Sequence, residues 1–197
     1  MPILKRLLLT LALLLIPFGA TAEEAIFAGG CFWCMEKPFE QVDGVSAVIS
    51  GYSGGKTANP TYQNYGATGH IEVVKVIYNP EKVSYEQLLD IFWRQINPTD
   101  AGGQFVDRGY EYSTAIYYLN QQQRKTATTS KRAMNESGLF AAPIVTPIKP
   151  AAPFYAAEDY HQDYYKKNPL RYWYYRSRSG RDGYLQSIWG ESALDSH

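Results

Sequence analysis

Gly29-Gly30-Cys31-Phe32-Trp33-Cys34-Met35-Glu36 decides how this chain is read. The short apolar run Ala25 to Ala28 precedes it, and Trp33, Phe39 and Val42 recur among polar residues after it. That order predicts strand, glycine turn, helix, with Cys31 where the helix begins. A cysteine at such a start faces unpaired backbone N–H groups and the positive end of the helix dipole, and both favour thiolate over thiol. Cys34 is one helical turn further on, within reach of an intermediate formed on the Cys31 sulfur. Glu36 follows closely enough to line the same pocket with a carboxyl that, partly buried, holds a proton near neutral pH. The spacing offers a nucleophile, a resolving thiol and an acid.

These two are the chain's only cysteines. A bridge between them closes almost no loop and stabilises little through the unfolded state, so a structural staple is disfavoured. A zinc site needs two more ligands, and His70, His161 and His197 show no zinc-motif spacing. Covalent haem attachment needs His after the second cysteine, where Met35 stands. A thioredoxin-like thiol oxidoreductase shares the Cys-x-x-Cys helix start, and Thr146-Pro147 offers the proline loop such proteins use. Spacing alone leaves that alternative open.

Outward from the motif, Val45 to Tyr52 and Ile71 to Tyr78 are rich in β-branched residues and read as strands, separated by an irregular loop from Ser53 to Thr68. Ser84 with Gln87 resembles a capping box for a helix that Asn97-Pro98 stops. Thr99 to Tyr110 is turn-rich. Thr114 to Leu119 predicts a strand, Gln121 to Ser137 a polar helix, Ile144 to Ile148 a strand and Glu158 to Lys167 a short aromatic helix. From Asn168 on no periodicity is evident. The pattern gives an α/β domain with a mixed sheet.

Met1 to Ala22 reads as a secretory leader: Lys5-Arg6, an apolar run Leu7 to Ile16, then Ala20-Thr21-Ala22 as a cleavage site. The run is shorter than the roughly 20 apolar residues of a membrane span. The expected product is therefore exported, periplasmic or secreted, with no stable membrane insertion, and is one catalytic domain over 23–197. The full chain of 197 residues balances 19 Lys+Arg against 19 Asp+Glu. With no basic excess or cluster, nucleic acid is disfavoured as a partner. The outlier in composition is 17 Tyr against 8 Phe. A tyrosine hydroxyl is useful where something accepts or needs a proton.

Gly30-Cys31-Phe32-Trp33 with Glu36 resembles the signature of the A-type peptide methionine sulfoxide reductases, which act on the S epimer. In the same order the chain carries Gly51-Tyr52-Ser53-Gly54-Gly55, Asn59-Pro60-Thr61-Tyr62, Thr68-Gly69-His70-Ile71-Glu72, Gln104 to Gly109, Tyr112 to Tyr117 and Ala157 to Gln162. The resemblance implies a two-layer sandwich of ferredoxin-like character. It implies Cys31 as nucleophile, Phe32 and Trp33 as the pocket for the substrate methyl, and Glu36, Tyr62 and Tyr112 as groups that hydrogen-bond and protonate the sulfoxide oxygen. Asp107 matches a polar residue of the same site, though it also suits a turn before Arg108-Gly109. The implied cycle passes through a Cys31 sulfenic acid and a Cys31-Cys34 disulfide, reopened by a thioredoxin-like protein or other external thiol, with no bound cofactor or metal. Many relatives carry resolving cysteines in a C-terminal tail; Ser177 to His197 has none. A peptide module that binds methionine without turnover is the non-enzymatic alternative. His70 with Glu72 reads as a loop-organising pair, His161 as a packed or hydrogen-bonded residue, Met35 as packing, and most other tyrosines, among them Tyr52, Tyr65 and the cluster Tyr160 to Tyr175, as walls.

Overall fold

Strand alternation sets the layers. In β1 (Glu23–Gly29), Ala25 and Phe27 fall in one apolar cluster and Ile26 and Ala28 in another, because successive side chains point to opposite faces. The computed structural model describes residues 21–190, so all but the last two residues of the expected leader lie outside it. Beyond β1 come α1 (Phe32–Glu40), β2 (Val45–Ser53), β3 (Ile71–Tyr78), α2 (Tyr85–Trp93), a ribbon of β4 (Gly103–Gln104) and β5 (Asp107–Arg108), β6 (Thr114–Tyr118) and α3 (Gln121–Glu136). The chain then adds β7 (Ile148–Pro150), β8 (Phe154–Ala156), α4 (Tyr164–Lys167), α5 (Pro169–Arg178) and α6 (Arg181–Trp189).

The main sheet has the order β7-β6-β1-β3-β2-β8. Neighbours pair antiparallel except β6 and β7, which are parallel, so the sheet is mixed, as expected. β3 lies between β1 and β2, a split β-α-β arrangement whose connecting helix is α1. Phe27 stacks on Phe39 of α1 and Phe92 of α2, each at 5.2 Å, and Leu88, Leu89, Trp93 and Ala127 complete that core. The opposite face, around Ile26, Ile71, Val73 and Tyr117, is covered by Ala151 and Phe154. Ser84 caps α2 as anticipated: its hydroxyl accepts from Gln87 N while Gln87 Oε1 accepts from Ser84 N.

Three expectations need correction. The strand set at Ile144 to Ile148 begins only at Ile148, since Pro143 and Pro147 lack donors for a ladder; Val145 N instead donates to Pro98 O, and Pro147 O accepts from Ile116 N. The helix set at Glu158 to Lys167 is a single turn, α4, because Asp163 adopts a left-handed φ of 54° just before it. The segment without visible periodicity contains α5 and α6, whose buried residues include Tyr172, Arg176 and Arg181 rather than an aliphatic stripe.

Candidate functional site

Cys31 is the residue before α1 and Cys34 lies in its first turn, with Cys34 N donating to Cys31 O at 3.1 Å. The chain enters through Gly30 at φ 79°, where a Cβ would stand 2.6 Å from Gln104 Cβ. Both the positive φ and the close approach require glycine. Both cysteines are reduced and buried, Cys31 6% exposed and Cys34 0%. The Cys31 thiol is pushed well above its ordinary value by burial and by the neighbouring Cys34. Cys34 is drawn down to about 6, first by the hydrogen bond from Cys31 and then, against burial, by the charges of Arg181 and Arg176.

A cavity of about 110 Å³ opens on Cys31, lined by Phe32, Trp33, Tyr62, Glu72, Asp107, Tyr112 and Tyr175. Distant elements deliver these groups. The β4-β5 ribbon brings Asp107, whose Oδ2 accepts from Tyr175 of α5; burial raises the Asp107 carboxyl, opposed by Tyr175 and Arg181. Tyr112 ends a 3-10 turn, Tyr110–Tyr112, and shares a hydrogen bond with Tyr65. Trp33 stacks on Tyr164 at 3.7 Å, and its indole N–H donates to His161 Nδ1 at 3.1 Å. Tyr62 N donates to Glu158 Oε1, and Tyr52 OH to Glu158 Oε2. One strap, residues 157–163, thus fixes Trp33 and Tyr62 together.

The carboxyl in the cavity is Glu72 of β3. Its Oε2 accepts from Phe32 N and its Oε1 from Tyr65 OH, both at 2.9 Å. Burial raises it to about 8, against the two hydrogen bonds that favour its anion. Glu36 does not line the cavity. At about 100° per helical residue, a position five past Cys31 faces some 140° away. Glu36 Oε1 accepts instead from Ser50 Oγ at 2.8 Å and Asp163 N at 3.3 Å. Its carboxyl is raised by burial to about 7, so the protonation expected for it holds while its place does not.

The other sequence-selected residues, Cys31, Phe32, Trp33, Tyr62, Asp107 and Tyr112, do converge, and Cys34 lies just behind Cys31. Glu72 and Tyr175 went unselected as site residues. Glu72 had a signal, a charged residue inside a β-branched strand; Tyr175 had none among its aromatic neighbours. His70 organises the loop as expected, its Nδ1 accepting from Gly55 N and its Nε2 paired with Thr57 O, but its partner is that backbone and not Glu72. Thr146 bonds Thr114 and Lys131 at the β6-β7 side and does not line the cavity. Among the described residues no group of three His, Cys, Asp or Glu can hold a metal, and no helix is long and apolar enough to cross a membrane.

A buried thiol pair at a helix start, opening on an aromatic cavity with a carboxyl held near neutral, has the equipment of a thiol-dependent oxidoreductase. Comparison with known proteins identifies which. Residues 23–193 match the family model described as peptide methionine sulfoxide reductase. The chain is 56% identical over 170 residues to peptide methionine sulfoxide reductase MsrA of Bacillus licheniformis, covering 85% of this chain and 94% of that protein. It is 51% identical over 172 residues to MsrA 2 of Staphylococcus aureus, covering 86% and 97%. Among solved structures, reduced Mxr1 of Saccharomyces cerevisiae matches with TM-score 0.71 and 31% identity over 76% of this chain and 87% of that one. Methionine sulfoxide reductase A of Corynebacterium diphtheriae matches with TM-score 0.65 and 34% identity over 76% of each chain. The chain belongs to the peptide methionine sulfoxide reductase family and is an A-type enzyme that reduces methionine sulfoxide.

Proposed function

We propose that the chain reduces the S epimer of methionine sulfoxide, in proteins, peptides and the free amino acid, through its two cysteines in sequence. The observation that carries this reading is the buried Glu72 carboxyl beside the Phe32 amide, sharing one cavity with Cys31. A sulfoxide sulfur is a poor electrophile until its oxygen receives a proton. Glu72 supplies that proton, with the Tyr62 and Tyr112 hydroxyls donating to the same oxygen. The Cys31 thiolate attacks sulfur and the protonated oxygen leaves as water; water then attacks the Cys31 sulfur, the new S–S bond breaks, and methionine departs with both electrons of that bond, leaving Cys31 as sulfenic acid. Phe32 and Trp33 enclose the methyl, and the Trp33 bond to His161 holds the indole in place.

Cys34 then displaces the oxygen to form the disulfide, which an external dithiol of thioredoxin type reduces. The leader-like Met1 to Ala22, cleaved after Ala22, would put this cycle outside the cytoplasm. N-terminal sequencing of the exported product tests that placement: a start at Met1 in a membrane fraction overturns it.

The reading is tested by incubating the protein with dithiothreitol and each purified epimer. Loss of the S epimer alone, with methionine formed, is expected. Disulfide exchange on a thiol substrate without methionine would favour a thioredoxin-like oxidoreductase, and saturable binding without product a methionine-binding module.

A further inference from the structure

Two guanidinium groups from the last two helices are buried against the back of the thiol pair. Arg176 of α5 is 5% exposed and Arg181 of α6 1%. Arg176 Nη1 donates to the Cys34 carbonyl at 3.2 Å and its Nε to Asp182 Oδ1 at 2.8 Å. Arg181 Nη2 donates to Gly29 O at 3.1 Å, its Nη1 to Gln95 O, and its guanidinium lies 4.7 Å from the Phe105 ring. Among the described residues no carboxylate lies within ion-pair distance of Arg181. Two buried cations thus have one carboxylate between them, and that carboxylate, Asp182, is itself about one-third exposed. An unpaired buried charge is costly; the anions around the pair are the Asp107 carboxyl, which Arg181 holds down, and Cys34, whose carbonyl Arg176 binds and whose thiolate both cations favour.

We propose that Arg176 and Arg181 are positioning residues for the second half of the cycle, holding Cys34 as the anion that attacks the Cys31 sulfenic acid. The inference rests on the two-cysteine cycle proposed above. In that step Cys34 sulfur bonds to Cys31 sulfur and the Cys31 S–O bond breaks. The departing hydroxide takes a proton and leaves as water, with Cys34 oxidised and Cys31 reduced by one unit each. The group opposing the anion is the Asp107 carboxyl on the cavity side; Glu72, which holds its proton at neutral pH, and the un-ionised hydroxyls of Tyr172 and Tyr175 carry no opposing charge, and Cys31 supports the anion by donating its S–H. The same field eases recycling. Cys34 is fully buried, so an external thiol reaches the disulfide at Cys31, and Cys34 departs as the stabilised thiolate.

The test separates the two halves. Without reductant, methionine released in a single turnover reports Cys31 chemistry, and dimedone-trappable sulfenic acid reports the wait for Cys34. In R176Q and R181Q the methionine burst is expected to persist while disulfide formation near neutral pH slows about tenfold or more, following the lost thiolate fraction. R176K and R181K are expected to restore much of it. Disulfide formation at the parent rate in folded variants overturns the proposal. Should the glutamine variants fail to fold, Cys34 is titrated by its ultraviolet thiolate absorbance in C31S and in C31S/D182N, so that the loss of the Cys31 donor is common to both and only the charge of Arg176 is freed. An equal or higher midpoint in the double variant overturns the proposal; a lower one supports it. Absence of any methionine burst from the parent enzyme defeats the two-cysteine cycle instead, and the C31S titration still decides on the arginines.

Discussion

Replacing Glu72 by Gln removes one transferable proton from the cavity while keeping its size and polarity. The amide oxygen can still accept from Phe32 N, and the Tyr65 hydroxyl, both donor and acceptor, can turn to accept from the new NH2 group, so the local fold survives. What is lost is the acid. With the carboxyl raised to about 8, roughly ten protonated forms stand for each ionised one at neutral pH, so nearly every enzyme molecule carries the proton. A positioned general acid contributes about 10²- to 10⁴-fold. Each decade corresponds to about 1.4 kcal/mol, so the change should raise the barrier by about 3–5 kcal/mol. The assay is kcat/KM for the S epimer across pH. Because the protonated form is the active one, the parent's descending limb lies near pH 8, and Glu72→Gln should lose both rate and limb. Glu36→Gln is the internal control, expected to stay within a few-fold of the parent. A Glu72→Gln enzyme of near-parental activity, with activity lost in Glu36→Gln, would refute the assignment.

Cys34→Ser should release about one methionine per enzyme and then stall, by the sulfenic-acid chemistry; continued turnover with a thioredoxin-type reductant excludes Cys34 as the resolving residue. Gly30→Ala places a Cβ 2.6 Å from Gln104 Cβ at φ 79°, so chemical denaturation should show a loss of about 1–3 kcal/mol, and the burst should fall with it. Glu36→Gln should alter stability with pH. Burial penalises the charged form, raising this carboxyl from 4.5 to about 7. The parent's stability from this group is fully present below about 4.5 and lost as pH rises through about 7. At pH 8 the Gln variant should therefore unfold at higher denaturant than the parent, by up to about 3 kcal/mol; an unchanged midpoint across pH 5 to about 8 contradicts the burial argument.

The elements legible in the sequence are those whose signals are local. The glycine turn and helix start around Cys31, the β-branched strands β2 and β3, and the Ser84-Gln87 box each stand where neighbouring residues placed them. Glu36 was misplaced because sequence proximity to Cys31 competes with helical rotation, and rotation prevails once the helix is continuous past Pro38. Glu72 lies 41 positions from Cys31, and only the pairing of β1 with β3 brings it beneath the Phe32 amide. In α5 the usual amphipathic signal is inverted: Leu170, Trp173 and Tyr174 face solvent while Tyr172 and Arg176 are buried. An apolar-periodicity reading has nothing to find there, because that face packs against a thiol and a backbone carbonyl.

That inversion bears on how one helical turn gives two identical side chains different work. Burial and the hydrogen bond to Cys34 keep the proton on Cys31, and the same hydrogen bond, then the charges of Arg181 and Arg176, favour the anion at Cys34. A thiol that keeps its proton until a substrate arrives is shielded from adventitious oxidation, since the thiolate is the form that oxidants attack. A neighbour already ionised can act as soon as the sulfenic acid forms. The buried arginines of α5 and α6 therefore belong to the chemistry of the motif as much as the helix start does, although they lie more than 140 residues beyond Cys34 in the chain.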